Sequence, residues 1–152
     1  MSKIIPLFIV AIYWDFENVR LESYQTKYLI DLAQSKGRLV TQNVYSHWGK
    51  EHQRFKVLLG RHGFQQIDVS EEGKNSADMK FKDDCQKELY SDTSPDIFII
   101  VSGDGGFASL VKELQSRGKY VIGVGWRNTS KQTLIDRANK FHFAEELGKL
   151  AG

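Results

Sequence analysis

With 152 residues, 41% of them hydrophobic and 26% charged, the chain has the size and make-up of one soluble globular domain with its own core. A net charge of +2 permits a phosphate-bearing partner without requiring one. The single cysteine, Cys85, excludes an intramolecular disulfide and any cysteine-based zinc cluster, and the four histidines lack close metal-ligand spacing.

The first element is a buried strand from Leu7 to Trp14, within the run IIPLFIVAIYW. That run has only Lys3 as a basic flank, no A-x-A-like cleavage site, and leads directly into Asp15 and Glu17, so it does not read as a signal peptide. No run is long enough to span a bilayer, and a reducing, cytoplasmic setting is the default expectation. A helix follows around Tyr24 to Ser35, then a partly exposed strand from Arg38 to Ser46. The next helix, from about Lys50 to Arg61, places Phe55, Leu58 and Leu59 on one face, ahead of a short strand from Phe64 to Val69. A helix from Asn75 to Tyr90, a strongly apolar strand from Asp96 to Val101 and a helix from Gly105 to Arg117 come next. Tyr120 to Val124 forms a fifth strand, and the tail holds one or two short helices around Lys131 to Ala138 and Ala144 to Leu150.

Three of these helices end alike, in Ser35-Lys36-Gly37, Arg61-His62-Gly63 and Ser116-Arg117-Gly118. Each puts a cation in the last turn, where the helix dipole favours it, and then a glycine suited to the left-handed conformation. A strand follows each one at once. This punctuation predicts a single α/β domain over residues 1–152, with an open, mostly parallel sheet of about five strands and helices on both faces.

Asp15 and Asp104 both stand where an apolar strand ends, the rim at which open α/β sheets bind ligands. Asp78 lies in the first turn of its helix, inside the stripe formed by Ala77, Phe81, Cys85 and Leu89, so its carboxylate points at the body of the protein and needs a partner there. Carboxylates held ~5 Å apart repel by roughly 3 kcal/mol per pair at an effective dielectric of about 20, a cost that a divalent cation removes. Asn18 lies three residues past Asp15, close enough to fold back onto the same point. Asp84 sits on the other edge of the helical stripe, either facing a substrate or simply solvated. Each acid also has a plainer reading, as a turn residue or a helix cap. Ser102-Gly103-Asp104-Gly105-Gly106 matches neither GxxxxGK[ST] nor GxGxxG, so nucleotide binding of those kinds has little support.

Taken together, Asp15-x-x-Asn18, Ser76-Ala77-Asp78 with Asp84 further along, and Ser102-Gly103-Asp104-x-x-Phe107-x-x-Leu110-Val111 resemble the NYN domain family of PIN-like nucleases, the LabA-like bacterial branch most closely. The resemblance runs from about Leu7 to Leu147 and includes Gly118 to Gly125. It implies a PIN-like, Rossmannoid fold and a metal-dependent ribonuclease. Asp15, Asp78 and Asp104 match the carboxylates that hold Mg²⁺ or Mn²⁺, Asn18 an active-site asparagine, and Asp84 a further acidic position. The family often reads S-G-D-x-D-F, and Gly106 stands here where its second aspartate belongs. The implied chemistry is in-line attack of water on an RNA phosphodiester, aided by the cation.

Basic residues available for the RNA backbone include Lys50, Arg54, Lys74, Lys80, Lys82, Arg127 and Lys131, with Arg127 and Lys131 nearest the rim that carries Asp104. Trp48 and Trp126 flank strand ends, where they either stack on unpaired bases or join the core. Single-stranded or structured RNA is the expected partner, a membrane is not, and a homodimer is left open. Gly106 also keeps alive a domain that binds RNA or protein without cutting. A phosphotransfer or receiver domain fits less well, because Glu17 stands where a second aspartate would be wanted and Arg127 in the region where a lysine would be.

Overall fold

The computed structural model describes residues 8–69 and 76–148, without the side chains of 76 and 77. Its strands are β1 (Ile9–Asp15), β2 (Arg38–Ser46), β3 (Gln65–Asp68), β4 (Ile97–Val101), β5 (Tyr120–Gly125) and β6 (Lys140–Phe143). Its α-helices are α1 (Ser23–Lys36), α2 (Gln53–Arg61), α3 (Ser76–Leu89), α4 (Ala108–Ser116) and α5 (Gln132–Arg137). The strands form one sheet in the order β3-β2-β1-β4-β5-β6, and every pairing is parallel. The sheet therefore has six strands rather than five. The added one, Lys-Phe-His-Phe, is a four-residue edge strand, too short to show a period and opened by a lysine. Leu7, Lys74, Asn75 and the end of the expected tail helix at Leu150 lie outside the described residues.

Both faces of the sheet are covered, which is why the central strands read as unbroken apolar runs. All five residues of β4 are buried, and β1 is buried from Val10 through Asp15. Alternation along β1 sends Val10, Ile12 and Trp14 to one face, where Leu29 and Ala33 of α1 and Leu59 of α2 pack. Ala11 and Tyr13 go to the other face, against Phe81 and Cys85 of α3, Leu110 and Leu114 of α4, and Leu134 of α5. Asp15 continues this second face at the end of the strand.

Two of the three expected helix ends take the left-handed glycine, Gly63 at φ 82° and Gly118 at φ 80°. The third does not. Gly37 has φ 166°, an extended conformation, and is required for a different reason: a Cβ there would lie 2.4 Å from the Phe8 carbonyl oxygen. From β1 the chain winds outward to β2 and β3, then crosses back to β4 and winds the other way to β6. The gap between the carboxyl ends of β1 and β4 is thus the point where strand order reverses, the ligand position of such sheets.

Candidate active site

The β1 end of this crevice is a tight turn. Asn18 and Val19 donate backbone N–H groups to the Asp15 carbonyl at 3.2 and 3.1 Å, and the Trp14 indole donates to the Val19 carbonyl at 2.7 Å. The turn brings Asn18 back over the β4 end, where its Oδ1 accepts from the Gly103 N–H at 2.7 Å. Ser102, fully buried, lies between the two sides. Its hydroxyl is 3.4 Å from Asp15 Oδ2 and accepts from the Asp104 N–H at 3.1 Å. Asp104 Oδ1 in turn accepts from the Gly106 N–H at 2.9 Å, capping the short 3₁₀ turn over Gly105–Phe107.

From the far side, the segment after β5 presses on the same loop. Lys131 donates its N–H to the Gly103 carbonyl at 2.8 Å, and a Cβ on Gly103 would stand 2.6 Å from Ser130 Oγ. Only glycine allows that approach. Ser102 and Ser130 were not among the expected site residues. Ser102 had a signal in its place directly before Gly103-Asp104, whereas nothing near Ser130 in the sequence tells which glycine it meets.

Three elements therefore deliver Asp15, Asp78 and Asp104 to one place, and their charges register on one another. Asp15 is 8% exposed, and burial, then the neighbouring Asp78, push its pKa up to about 7 against a partial offset from the Ser102 hydroxyl. Asp104 and Glu17 add to the rise. Asp78 is half-buried and also raised, first by desolvation and then by the neighbouring Asp104 carboxylate, while Lys82 opposes the shift. The three carboxyls are neighbours without closing on a single point: among the described residues, no three His, Cys, Asp or Glu side chains form a ready-made metal cage. This donor set fits an ion such as Mg²⁺, which is commonly held by one or two carboxylates with waters completing its octahedron. Unrelieved repulsion at Asp15 and Asp78 is the further reason a cation suits the place.

Asp84 is directed elsewhere. One of its oxygens accepts from the Tyr45 hydroxyl at 2.8 Å and the other pairs with Lys80 at 3.0 Å. Among the basic candidates, Lys82 stands beside Asp78 with its ammonium 5.5 Å from the Phe107 ring centre. Lys131 lays its side chain along Gly105. The Arg127 guanidinium is engaged by Glu146 at 2.6 Å and stacks over Phe143, so it is less available to a phosphate. Lys74 lies outside the described residues. Trp48 is buried and donates to the Ile67 carbonyl at 3.1 Å, which makes it a core residue, and Trp126 is half-buried against the same core.

Residues 9–146 match the NYN domain. The chain belongs to the NYN domain family. It has the PIN-like α/β fold of that family, whose nucleases act on RNA and usually use divalent metals. No curated protein matches the chain. Among solved structures, it is similar to a protein of unknown function from Vibrio parahaemolyticus, at 26% identity and a TM-score of 0.73, over 94% of this chain and 96% of that one. A homoserine dehydrogenase from S. aureus matches with a TM-score of 0.43 and 10% identity over 90% of this chain and 32% of that one, a likeness too slight to carry an argument. No described helix of this NYN domain is long and apolar enough to cross a membrane.

Proposed function

We propose that this NYN domain is a metal-dependent ribonuclease whose site is Asp15, Asp78 and Asp104, with Asn18 and Ser102 holding the loops that present them. The observation that carries the reading is the meeting of three carboxylates from β1, α3 and the β4 loop at the sheet's switch point, with Asp15 raised to about 7 by burial and its acidic neighbours. Mg²⁺ or Mn²⁺ would be held by these acids, and when bound it makes hydroxide accessible near neutral pH and neutralises charge developing on the phosphoryl oxygens.

The chain's own part is placement. Asn18 and Ser102 tie the β1 turn to the β4 loop, so Asp15 and Asp104 move as one unit. Lys82 and Lys131 flank that unit from α3 and from the segment after β5, and would hold the phosphates on either side of the scissile bond. Asp15 is the most buried of the three acids, so its charge is the one that a bound cation would relieve most.

The test is cleavage of a labelled single-stranded RNA titrated with Mg²⁺ or Mn²⁺. Activity is expected to vanish with chelator and to fall more than ~100-fold in Asp15→Asn, beyond the usual loss for residues one step removed from a metal. Cleavage that survives Asp15→Asn would mean another site or a contaminant. A second reading, RNA binding without cutting, is favoured by Gly106 in place of the family's second acid. It requires chelator-insensitive binding and no products in any metal.

A further inference from the structure

We propose that Tyr13 and Tyr45 are positioning residues: their hydroxyls clamp α3 to β1 and β2 so that Asp78 stays against Asp15 and Asp104. The role rests on the site reading above, and its evidence is independent of any metal. Tyr13 is two residues before Asp15 on the same face of β1, and Tyr45 is the register partner of Asp15 on β2. The two rings lie parallel beneath the acid site, 6.4 Å apart, and each reaches a different carboxylate of α3. Tyr45 donates to Asp84 Oδ2 at 2.8 Å, and Tyr13 donates to Glu88 Oε1 at 2.5 Å. Thr41 donates to the second oxygen of Glu88 at 2.6 Å, and the Asn43 amide donates to the Tyr45 hydroxyl at 3.2 Å. β2 thus supplies two of the three donors and, through Asn43, orients one of them.

The geometry answers a question that packing leaves open. Phe81, Cys85 and Leu89 bury the apolar stripe of α3, but apolar contact is non-directional and sets the helix's distance from the sheet more firmly than its rotation. Asp84 and Glu88 are one turn apart, so two directional bonds to two adjacent strands fix that rotation. A turn of about 20° about the axis would carry a side-chain tip, roughly 5–6 Å off the axis, by about 2 Å. Shifts of about 1 Å can cost ~100-fold in rate when they misplace reacting groups. Burial, reinforced by the facing carboxylates, raises both phenol pKa values, so both hydroxyls remain donors across the working range.

Asp84, matched to a further acidic position of the family, is then the anchor by which Tyr45 holds the helix that carries Asp78. The experiment is amide hydrogen exchange on the full chain with chelator present, comparing wild type, Tyr13→Phe, Tyr45→Phe, the double variant, Asp84→Asn and Asp84→Leu. Phenylalanine keeps the ring and removes only the bond. The expected result is a loss of protection in α3, roughly tenfold per hydroxyl removed, against β4 amides in the same sample. Asp84→Asn, which still accepts from Tyr45, should stay near wild type, and Asp84→Leu should match Tyr45→Phe. An equal change in α3 and β4, or none in either, overturns the clamp. Mn²⁺ binding measured on the same variants separates the two ideas. A wild-type chain that binds no Mn²⁺ refutes the metal reading, while exchange still decides the role of the tyrosines.

Discussion

The two faces of the sheet are both built on aromatic side chains, but their polar groups end in different places. On the α1–α2 face, Trp14 donates to the Val19 carbonyl, Trp48 to the Ile67 carbonyl and Gln25 to the Ala144 carbonyl. All three are backbone acceptors, so these bonds seal loops onto the core. On the α3 face, Tyr13 and Tyr45 donate to carboxylates of a single helix, and that helix carries one of the three clustered acids. The first face therefore secures the fold, and the second also ties down the helix that carries Asp78. Substitutions on the two should separate stability from site geometry.

The largest effect expected is on the first face. Trp14 is fully buried between Phe16 and Phe64, whose ring centres lie 5.5 and 5.2 Å away. Trp14→Ala should cost about 4 kcal/mol of unfolding free energy, the usual range for deleting a core aromatic. Urea denaturation measures it, with Tyr45→Phe as the counterpart at about 1–2 kcal/mol for one hydrogen bond to a charged acceptor. If Tyr45→Phe cost as much as Trp14→Ala, the division of labour between the faces would fail.

That division was only half legible in the sequence. β1 and β4 could be read because burial on both faces leaves an unbroken apolar run, and Asp78 because it interrupts a helical stripe that must face inward. The destination of Asp84 could not be read, since its partner Tyr45 is 39 residues away on another strand and either helix edge would have satisfied the stripe. The same applies to β6, whose identity depends on pairing with β5 rather than on its four residues. Gly37 shows the converse: a glycine with the sequence signature of a left-handed cap is required by a carbonyl of the neighbouring β1 lead-in.

A smaller effect, of opposite sign, is expected at the rim of the second face. In chelator, the Asp15 carboxyl titrates near 7 in the folded chain and near 3.8 when unfolded. Between those values the folded state binds the extra proton, so stability falls as pH rises from about 4 to 7 and stays reduced above that. Asp15→Asn removes the penalty. A rise of about 3 units corresponds, at about 1.4 kcal/mol per unit, to at most about 4 kcal/mol, and the asparagine amide is itself desolvated there, so the variant should be more stable than wild type by on the order of 2–3 kcal/mol at pH 8 and by almost nothing at pH 4. Thermal melts at the two pH values test the sign. A variant less stable at pH 8 would show that Asp15 is a structural acid rather than one held at a cost for function.

The smallest change in stability, and the most telling in function, belongs to Gly106→Asp. Gly106 is exposed, its φ lies outside the left-handed region, and the nearest atoms a Cβ there would meet are those of the Asp104 carboxyl, Oδ1 first at 3.3 Å. That contact is tight, but the atom met is a carboxylate tip that can give by a few tenths of an ångström. The new charge would be largely solvent-screened, so the metal-free fold should lose less than about 1 kcal/mol. Mn²⁺-dependent cleavage should nevertheless rise about tenfold or more, on the scale by which groups tuning a metal site alter activity. Such a gain would show that the three acids and their clamped helix already form a competent site lacking one ligand. An intact fold with tighter Mn²⁺ binding and no cleavage would instead place the domain among binders, because ligand supply would then have been excluded as the missing part.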